Sequence, residues 1–241
     1  MSVDRIVVAK HVIEEFRKID PACIGDVVSG VGLRGIVHGI FPLDRKMKLC
    51  GPAVTMRQIS SRDNRNWARH EKVLAEMCQP GDVLVMDCGG RMDGAPWGSN
   101  VTREARTRGL EGTVIDGVTR DSEEIVEMGY PTFTRGVTLP HTHGLFYSTC
   151  LNTEPVQIGM FPYAVMVAPG DIVVGGADGV VIVPANRADE LLDLAKRRHE
   201  EDGRMAGLLD SGKMHGDPEV DAQVAKSRAF EGVKQAEGYK W

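Results

Sequence analysis

The sequence predicts one α/β domain with a β-rich second layer, and three observations carry that prediction. Between residues 51 and 134 short apolar runs alternate with helical patterns. Between residues 163 and 183 three more apolar runs are separated only by tight turns. A chain of 241 residues, 42% hydrophobic and 26% charged, is long enough for a sizeable core and too apolar for disorder. A formal net charge of −5 and only 5% aromatic residues argue against coating a duplex or stacking bases, so nucleic acid is not expected as the main partner. No apolar run approaches the roughly 18 residues of a membrane span. The start Met1-Ser2-Val3-Asp4-Arg5 lacks the basic, apolar, small-residue order of a signal peptide, so no membrane partner and a cytoplasmic location are expected. Five cysteines, Cys23, Cys50, Cys78, Cys88 and Cys150, include no C-x-x-C pair and fit reduced thiols.

In chain order, a first helix is expected over residues 6–16, stopped by Asp20-Pro21, and a short second one over Ile24, Val27 and Val28. Gly30, Gly32, Gly35 and Gly39 then enforce irregular chain. A strand at residues 53–56 is followed by a helix carrying Trp67, His70, Leu74 and Met77 on one face. His70 reads there as a core or interface histidine. Residues 83–86 form a second strand, 101–108 a helix ended by Gly109, 113–115 a third strand, 122–128 a helix, and 132–134 a fourth strand. Strand and helix in alternation imply parallel crossovers. Residues 163–167, 171–174 and 180–183 read as successive hairpin strands, and a final helix begins near Asn186 and becomes highly charged from Lys196 to Arg204. That mixed-sign run is a solvated helix face or a surface for another molecule.

Two segments can carry chemistry. Residues 87–100, with Gly89, Gly90, Gly94 and Gly98, join a strand end to a helix start, where ligands bind in open parallel sheets and free N–H groups seat an anion. The alternative is a glycine-rich surface loop with Ser99 or Asn100 as an ordinary helix cap. No Gly-x-Gly-x-x-Gly or GK[ST] motif is present. Residues 115–124 repeat the strand-to-helix pattern with Arg120 beside Asp121, a carboxylate fork next to a hard-metal ligand. Asp121 and Glu124 also have capping-box spacing, and an Asp that caps keeps a second oxygen for a metal. His141 and His143 alternate as strand ligands would, but Pro140 and Gly144 mark a loop. No Gly-x-Ser-x-Gly elbow supports a serine nucleophile. Arg57, Arg62 and Arg65 in residues 57–66 read either a second substrate carboxylate or only solvent.

A set of motifs then stands out in order: Leu33-Arg34-Gly35, Cys50-Gly51-Pro52-Ala53-Val54-Thr55, Gly81-Asp82-Val83-Leu84-Val85, Trp97-Gly98, Gly109-Leu110-Glu111-Gly112-Thr113-Val114-Ile115-Asp116-Gly117-Val118-Thr119-Arg120-Asp121, Tyr130-Pro131-Thr132-Phe133-Thr134-Arg135-Gly136, and Pro169-Gly170-Asp171 through Val183-Pro184. Together they resemble the RraA-like family, which includes 4-hydroxy-4-methyl-2-oxoglutarate / 4-carboxy-4-hydroxy-2-oxoadipate aldolases. The resemblance runs over about residues 20–210 of a single domain, 1–241, with a C-terminal helical extension over about 186–241. It implies a β/β/α swivelling-domain-like fold, with parallel crossovers in the central sheet, a β-hairpin layer and a C-terminal helix. It also implies a homotrimer or homohexamer with the site between subunits.

The same resemblance implies a Mg²⁺ or Mn²⁺ cofactor, a small oxo-acid substrate, and a lyase that releases pyruvate and also decarboxylates oxaloacetate. Asp121 would hold the metal, Arg120 would bind the 2-oxo acid and stabilise the enolate, and the amides of Asn100 and Val101 beside Gly98 and Ser99 would grip the carboxylate. Many of these aldolases carry an acidic residue where this chain has Ser99. Asp93 or Glu124 stand as substitutes, and Glu200 or Glu201 from a neighbouring subunit as the second carboxylate. Two other readings keep the scaffold: a non-catalytic regulatory or binding protein, and a metal-dependent dehydratase or isomerase of another oxo acid.

Overall fold

The computed structural model describes residues 5–60, 70–142 and 146–236, with backbone alone at 70–72, 146–147 and 228–236. It opens with α1 (Lys10–Phe16) and α2 (Pro21–Gly30). The expected first helix is shortened at its start, where Ala9 offers no capping side chain. The second begins for a local reason: the Asp20 carboxylate accepts the Ala22 N–H at 2.8 Å, and Pro21 has no N–H to leave unpaired.

Two short strands, β1 (Ile36–Val37) and β2 (Phe41–Pro42), precede the long β3 (Leu49–Ser60). Then follow α3 (His70–Glu76), β4 (Val83–Asp87), α4 (Ser99–Thr107), β5 (Gly112–Thr119), α5 (Ser122–Glu127) and β6 (Thr132–Val137). The sheet order is β1-β11-β10-β3-β4-β5-β6-β2, with β3 to β6 parallel as the alternation predicts. Only residues 38–40 separate β1 from β2, so the two ends of the sheet stay close and the sheet curls around an inner core.

The second half holds β7 (Phe146–Leu151), β8 (Val156–Ile158), β9 (Val165–Val167), β10 (Ile172–Gly176), β11 (Gly179–Val183), a 3-10 turn (Ala185–Arg187), α6 (Ala188–Asp210) and α7 (Pro218–Ala236). The β10–β11 hairpin is as expected, with Gly176 opposite Gly179. The hairpin expected before it is not formed: β9 pairs with β8 in a separate two-stranded sheet. The Pro169-Gly170 turn docks onto β3 instead, because the Gly170 N–H donates to the Ala53 carbonyl at 2.9 Å and the Ala53 N–H donates to that of Asp171 at 2.7 Å. A Cβ on Gly170 would lie 2.3 Å from the Ile6 carbonyl oxygen, so the turn requires glycine. The antiparallel strand β7 beside β3 is an addition to the expected set.

Period-2 alternation sorts side chains into three clusters. Leu49, Ala53, Val85, Val114 and Phe133 fill the inside of the curl. Val54, Met56, Leu84, Met86 and Ile115 face α3, α4 and α5 on the outside. Cys50, Val174 and Val181 face α1, α2 and α6. Among the described residues no helix is long and apolar enough to cross a membrane.

Candidate active site

The two helix starts singled out in the sequence lie side by side. β5 ends at Thr119, whose hydroxyl donates to the Trp97 carbonyl at 3.0 Å, and the Arg120 N–H donates to the same oxygen at 3.1 Å. Trp97 is buried, its indole N–H on the Thr102 hydroxyl at 2.9 Å, and that hydroxyl donates in turn to the Gly98 carbonyl at 2.9 Å. These bonds fix the turn before α5 against the start of α4.

Asp121 occupies the N-cap position of α5 but does not cap it. Its backbone is left-handed, φ 55° and ψ 37°, and its side chain makes no bond to that helix. The carboxylate crosses to α4 instead. Oδ2 accepts the Ser99 N–H at 3.1 Å and the Ser99 hydroxyl at 3.3 Å, while Oδ1 accepts Arg120 Nε at 3.0 Å. The capping-box reading is thereby corrected, and Glu124, its other half, pairs with Arg103 at 2.8 Å. Helix α4 starts at Ser99 with Gly98 as N-cap, so neither Ser99 nor Asn100 is the cap. Burial alone would raise the Asp121 pKa, but the Ser99 amide and the Arg120 guanidinium outweigh it and hold the carboxyl below its ordinary range. Asp121 is therefore an anion at neutral pH.

Gly98 makes the crossing possible. A Cβ there would lie 2.8 Å from Asp121 Oδ2 and 3.2 Å from Arg120 Cγ. Beyond it the Asn100 and Val101 N–H groups, in the first turn of α4, have no protein partner among the described residues. Arg120 has only its Nε bonded, and its side chain is 40% exposed. An anion at this surface would meet two free amides and a guanidinium fork.

The remaining candidates separate from this point. Asp93 is exposed and pairs with Arg91. Glu200 pairs with Arg204 at 3.1 Å on α6, and Glu201 Oε2 is buried with no partner among the described residues. Arg57 is bound to Asp87, Glu154 and the Pro155 carbonyl, so it does not reach for a substrate. His141 bridges to Ala95 through the backbone, and no described group of three His, Cys, Asp or Glu side chains can hold a metal. Arg62, Arg65 and His143 lie outside the described residues, as does the His70 side chain.

The sequence model of the RraA-like family, described as Aldolase/RraA, matches residues 22–182, two thirds of the chain and the whole Gly98–Asp121 constellation. The chain belongs to the RraA-like family. A Halalkalibacterium halodurans relative named "Putative 4-hydroxy-4-methyl-2-oxoglutarate aldolase" is 34% identical over 192 residues, 79% of this chain and 84% of that one. Streptomyces coelicolor RraAS2, titled an unusual member of the RNase ES inhibitor RraA family, aligns with a TM-score of 0.72 at 30% identity, covering 83% of this chain and 99% of that one. A Pseudomonas syringae structure aligns with a TM-score of 0.76 at 26% identity, covering 86% and 96%. The RraA-like match stops short of Glu200 and Glu201, so it lends those two no support.

Proposed function

We propose that the chain is a divalent-metal-dependent carbon–carbon lyase that cleaves a 4-hydroxy-2-oxo acid to pyruvate and decarboxylates oxaloacetate. One observation carries the reading: Asp121 is held in a left-handed backbone and gives up its own helix cap to present an ionised carboxylate beside Arg120. Such strain in a residue other than glycine costs on the order of 1–3 kcal/mol and concentrates at functional positions. The aldolase-named relative supports the same reading.

The donor set suits Mg²⁺ or Mn²⁺ rather than a closed zinc site. Among the described residues Asp121 belongs to no group of three His, Cys, Asp or Glu side chains that would enclose a cation, and hard cations of this kind keep waters and take one or two carboxylates plus substrate oxygens. Asp121 would hold the ion, which when bound supplies Lewis-acid charge beside a keto oxygen. The chain's own groups do the rest. The Asn100 and Val101 amides take the carboxylate of the 2-oxo acid, and Arg120 directs its terminal nitrogens at the oxygen that gains charge. Retro-aldol cleavage breaks the C3–C4 bond, turns the C4 hydroxyl into a carbonyl with loss of its proton, and leaves the electron pair on C3, which is then protonated to the methyl group of pyruvate. Ser99 orients Asp121 through its hydroxyl.

The test is pyruvate release from oxaloacetate and from 4-hydroxy-4-methyl-2-oxoglutarate, with Mg²⁺ or Mn²⁺ and with a chelator, in wild type and Asp121→Ala. Metal-dependent release that falls at least a hundredfold in the variant is expected. RraAS2, titled as related to an RNase inhibitor, favours a second reading, a regulatory scaffold. Absence of both metal binding and pyruvate release would select it. Metal binding without release would select another oxo-acid reaction, built around Ser99.

A further inference from the structure

A second constellation closes the carboxyl-end mouth of the curled sheet. Arg57 on β3 is in register with Asp87 on β4, and Asp87 with Asp116 on β5. Arg135 on β6 is one residue beyond Thr134, the partner of Ile115. Strand alternation turns all four side chains to the inner face, above Val85, Val114 and Phe133. Asp121 sits instead with α4 and α5 on the outer face, so the two constellations lie on opposite sides of the sheet.

The two arginines of this row are used differently. Arg57 donates Nε to Asp87 at 2.8 Å, Nη1 to Glu154 at 3.4 Å and Nη2 to the Pro155 carbonyl at 3.2 Å, so every nitrogen is engaged. Arg135 donates only Nε, to Asp116 at 2.5 Å. Its terminal nitrogens have no protein partner among the described residues. They lie over two left-handed glycines, with Nη2 3.3 Å from where a Gly90 Cβ would stand and Nη1 3.5 Å from a Gly39 Cβ. A pocket of about 430 Å³ opens at this row, lined by Asp87, Asp116, Arg135, Gln157, Met160 and Phe161. That volume is within the range of small-ligand sites.

We propose that this pocket binds a small hydroxy acid, its carboxylate on the terminal nitrogens of Arg135, its hydroxyls donating to the Asp116 carboxylate and to Asp87 Oδ1, which among the described residues accepts only the Gly89 N–H, and its carbon chain against Met160 and Phe161. Arginine presents a planar fork that matches a carboxylate. Burial and the neighbouring Asp87 push the Asp116 carboxyl up, and Arg135 and the Gly159 amide only partly offset them. Asp116 is 3% and Asp87 8% exposed, so both acids are fixed in place before any ligand arrives.

The experiment is calorimetric titration of the full chain with D-glycerate and L-glycerate in a chelator, which silences any metal at Asp121 and makes the result independent of the lyase assay. Binding of one enantiomer with the same Kd in wild type and Asp121→Ala is expected. It should weaken at least tenfold in Arg135→Gln and in Ala164→Phe, where the ring fills the pocket. Circular dichroism checks each fold. Should Arg135→Gln fail to fold, Ala164→Phe decides alone, since Ala164 is a half-exposed residue of the pocket lining and outside the buried pair. No binding of either enantiomer, binding unchanged in both pocket variants, or binding lost in Asp121→Ala would each overturn the proposal.

Discussion

Asp121 does two opposed things at once. Its left-handed backbone costs about 1 kcal/mol or somewhat more, while its carboxylate satisfies the Ser99 amide at the start of α4, a bond worth about 1 kcal/mol. Asp121→Ala keeps the strain and loses the bond. Asp121→Gly loses the bond but relieves the strain, so it should be more stable than Asp121→Ala by about 1 kcal/mol in urea unfolding, although both lose the proposed activity. Equal stabilities would mean that the backbone at Asp121 is unstrained. The Arg120-Asp121 pair was legible as a chemical unit because both residues stand together at a strand end. The left-handed turn was not, since Asp followed three residues later by Glu spells a capping box, and only the position of Ser99 across the turn draws the carboxylate away. The charged row was equally hidden: Asp87 and Asp116 each end a run that reads as buried strand, and nothing short of the parallel register shows that they are neighbours.

At the scale of elements, the parallel core from β3 to β6 followed directly from alternating strand and helix patterns. The β8–β9 sheet did not, because local turn chemistry at Pro169-Gly170 cannot say which strand a chain will join. Asp171 makes that choice. Its Oδ1 accepts the Ala185 N–H at 2.9 Å and its Oδ2 the Ala168 N–H at 2.8 Å, tying the turn to the start of the 3-10 segment before α6. Burial pushes its carboxyl up against the pull of those two amides. Asp171→Asn puts an NH₂ opposite an N–H and should cost about 1–3 kcal/mol at pH 7 by thermal or urea unfolding. The raised folded pKa means that Asp171 contributes stability present below its unfolded value of about 3.9 and lost as pH rises through the folded value. The deficit of the Asn variant should therefore narrow from acid toward neutral pH. An Asn variant as stable as wild type would show that the two amide bonds do not anchor the turn.

For the whole molecule, the decisive feature is what one chain fails to assemble. Pockets of about 780 and 430 Å³ open elsewhere on the surface, and neither is lined by Arg120 or Asp121. The pair lies at the surface, with its side chains 40% and 26% exposed and in no described group of three side chains that could hold a cation. Glu200 and Glu201 are on α6, which packs with α1 and α2 against the other side of the fold, so within one chain they belong to a different layer from Asp121. If a neighbouring copy supplies that second carboxylate, two inactive variants should rescue each other. Asp121→Ala chains keep Glu200 and Glu201, and chains carrying both Glu200→Gln and Glu201→Gln keep Asp121. In a closed ring where each site joins one chain's Asp121 to the next chain's glutamates, an equal mixture assembled from dissociated subunits pairs two intact halves at about one site in four. Pyruvate release should then recover to about a quarter of wild type after co-refolding, while each variant alone stays inactive. Retained activity in the double glutamine variant alone would remove the glutamates from the site. Two inactive variants with no recovery in the mixture would place both halves of the machinery within one chain.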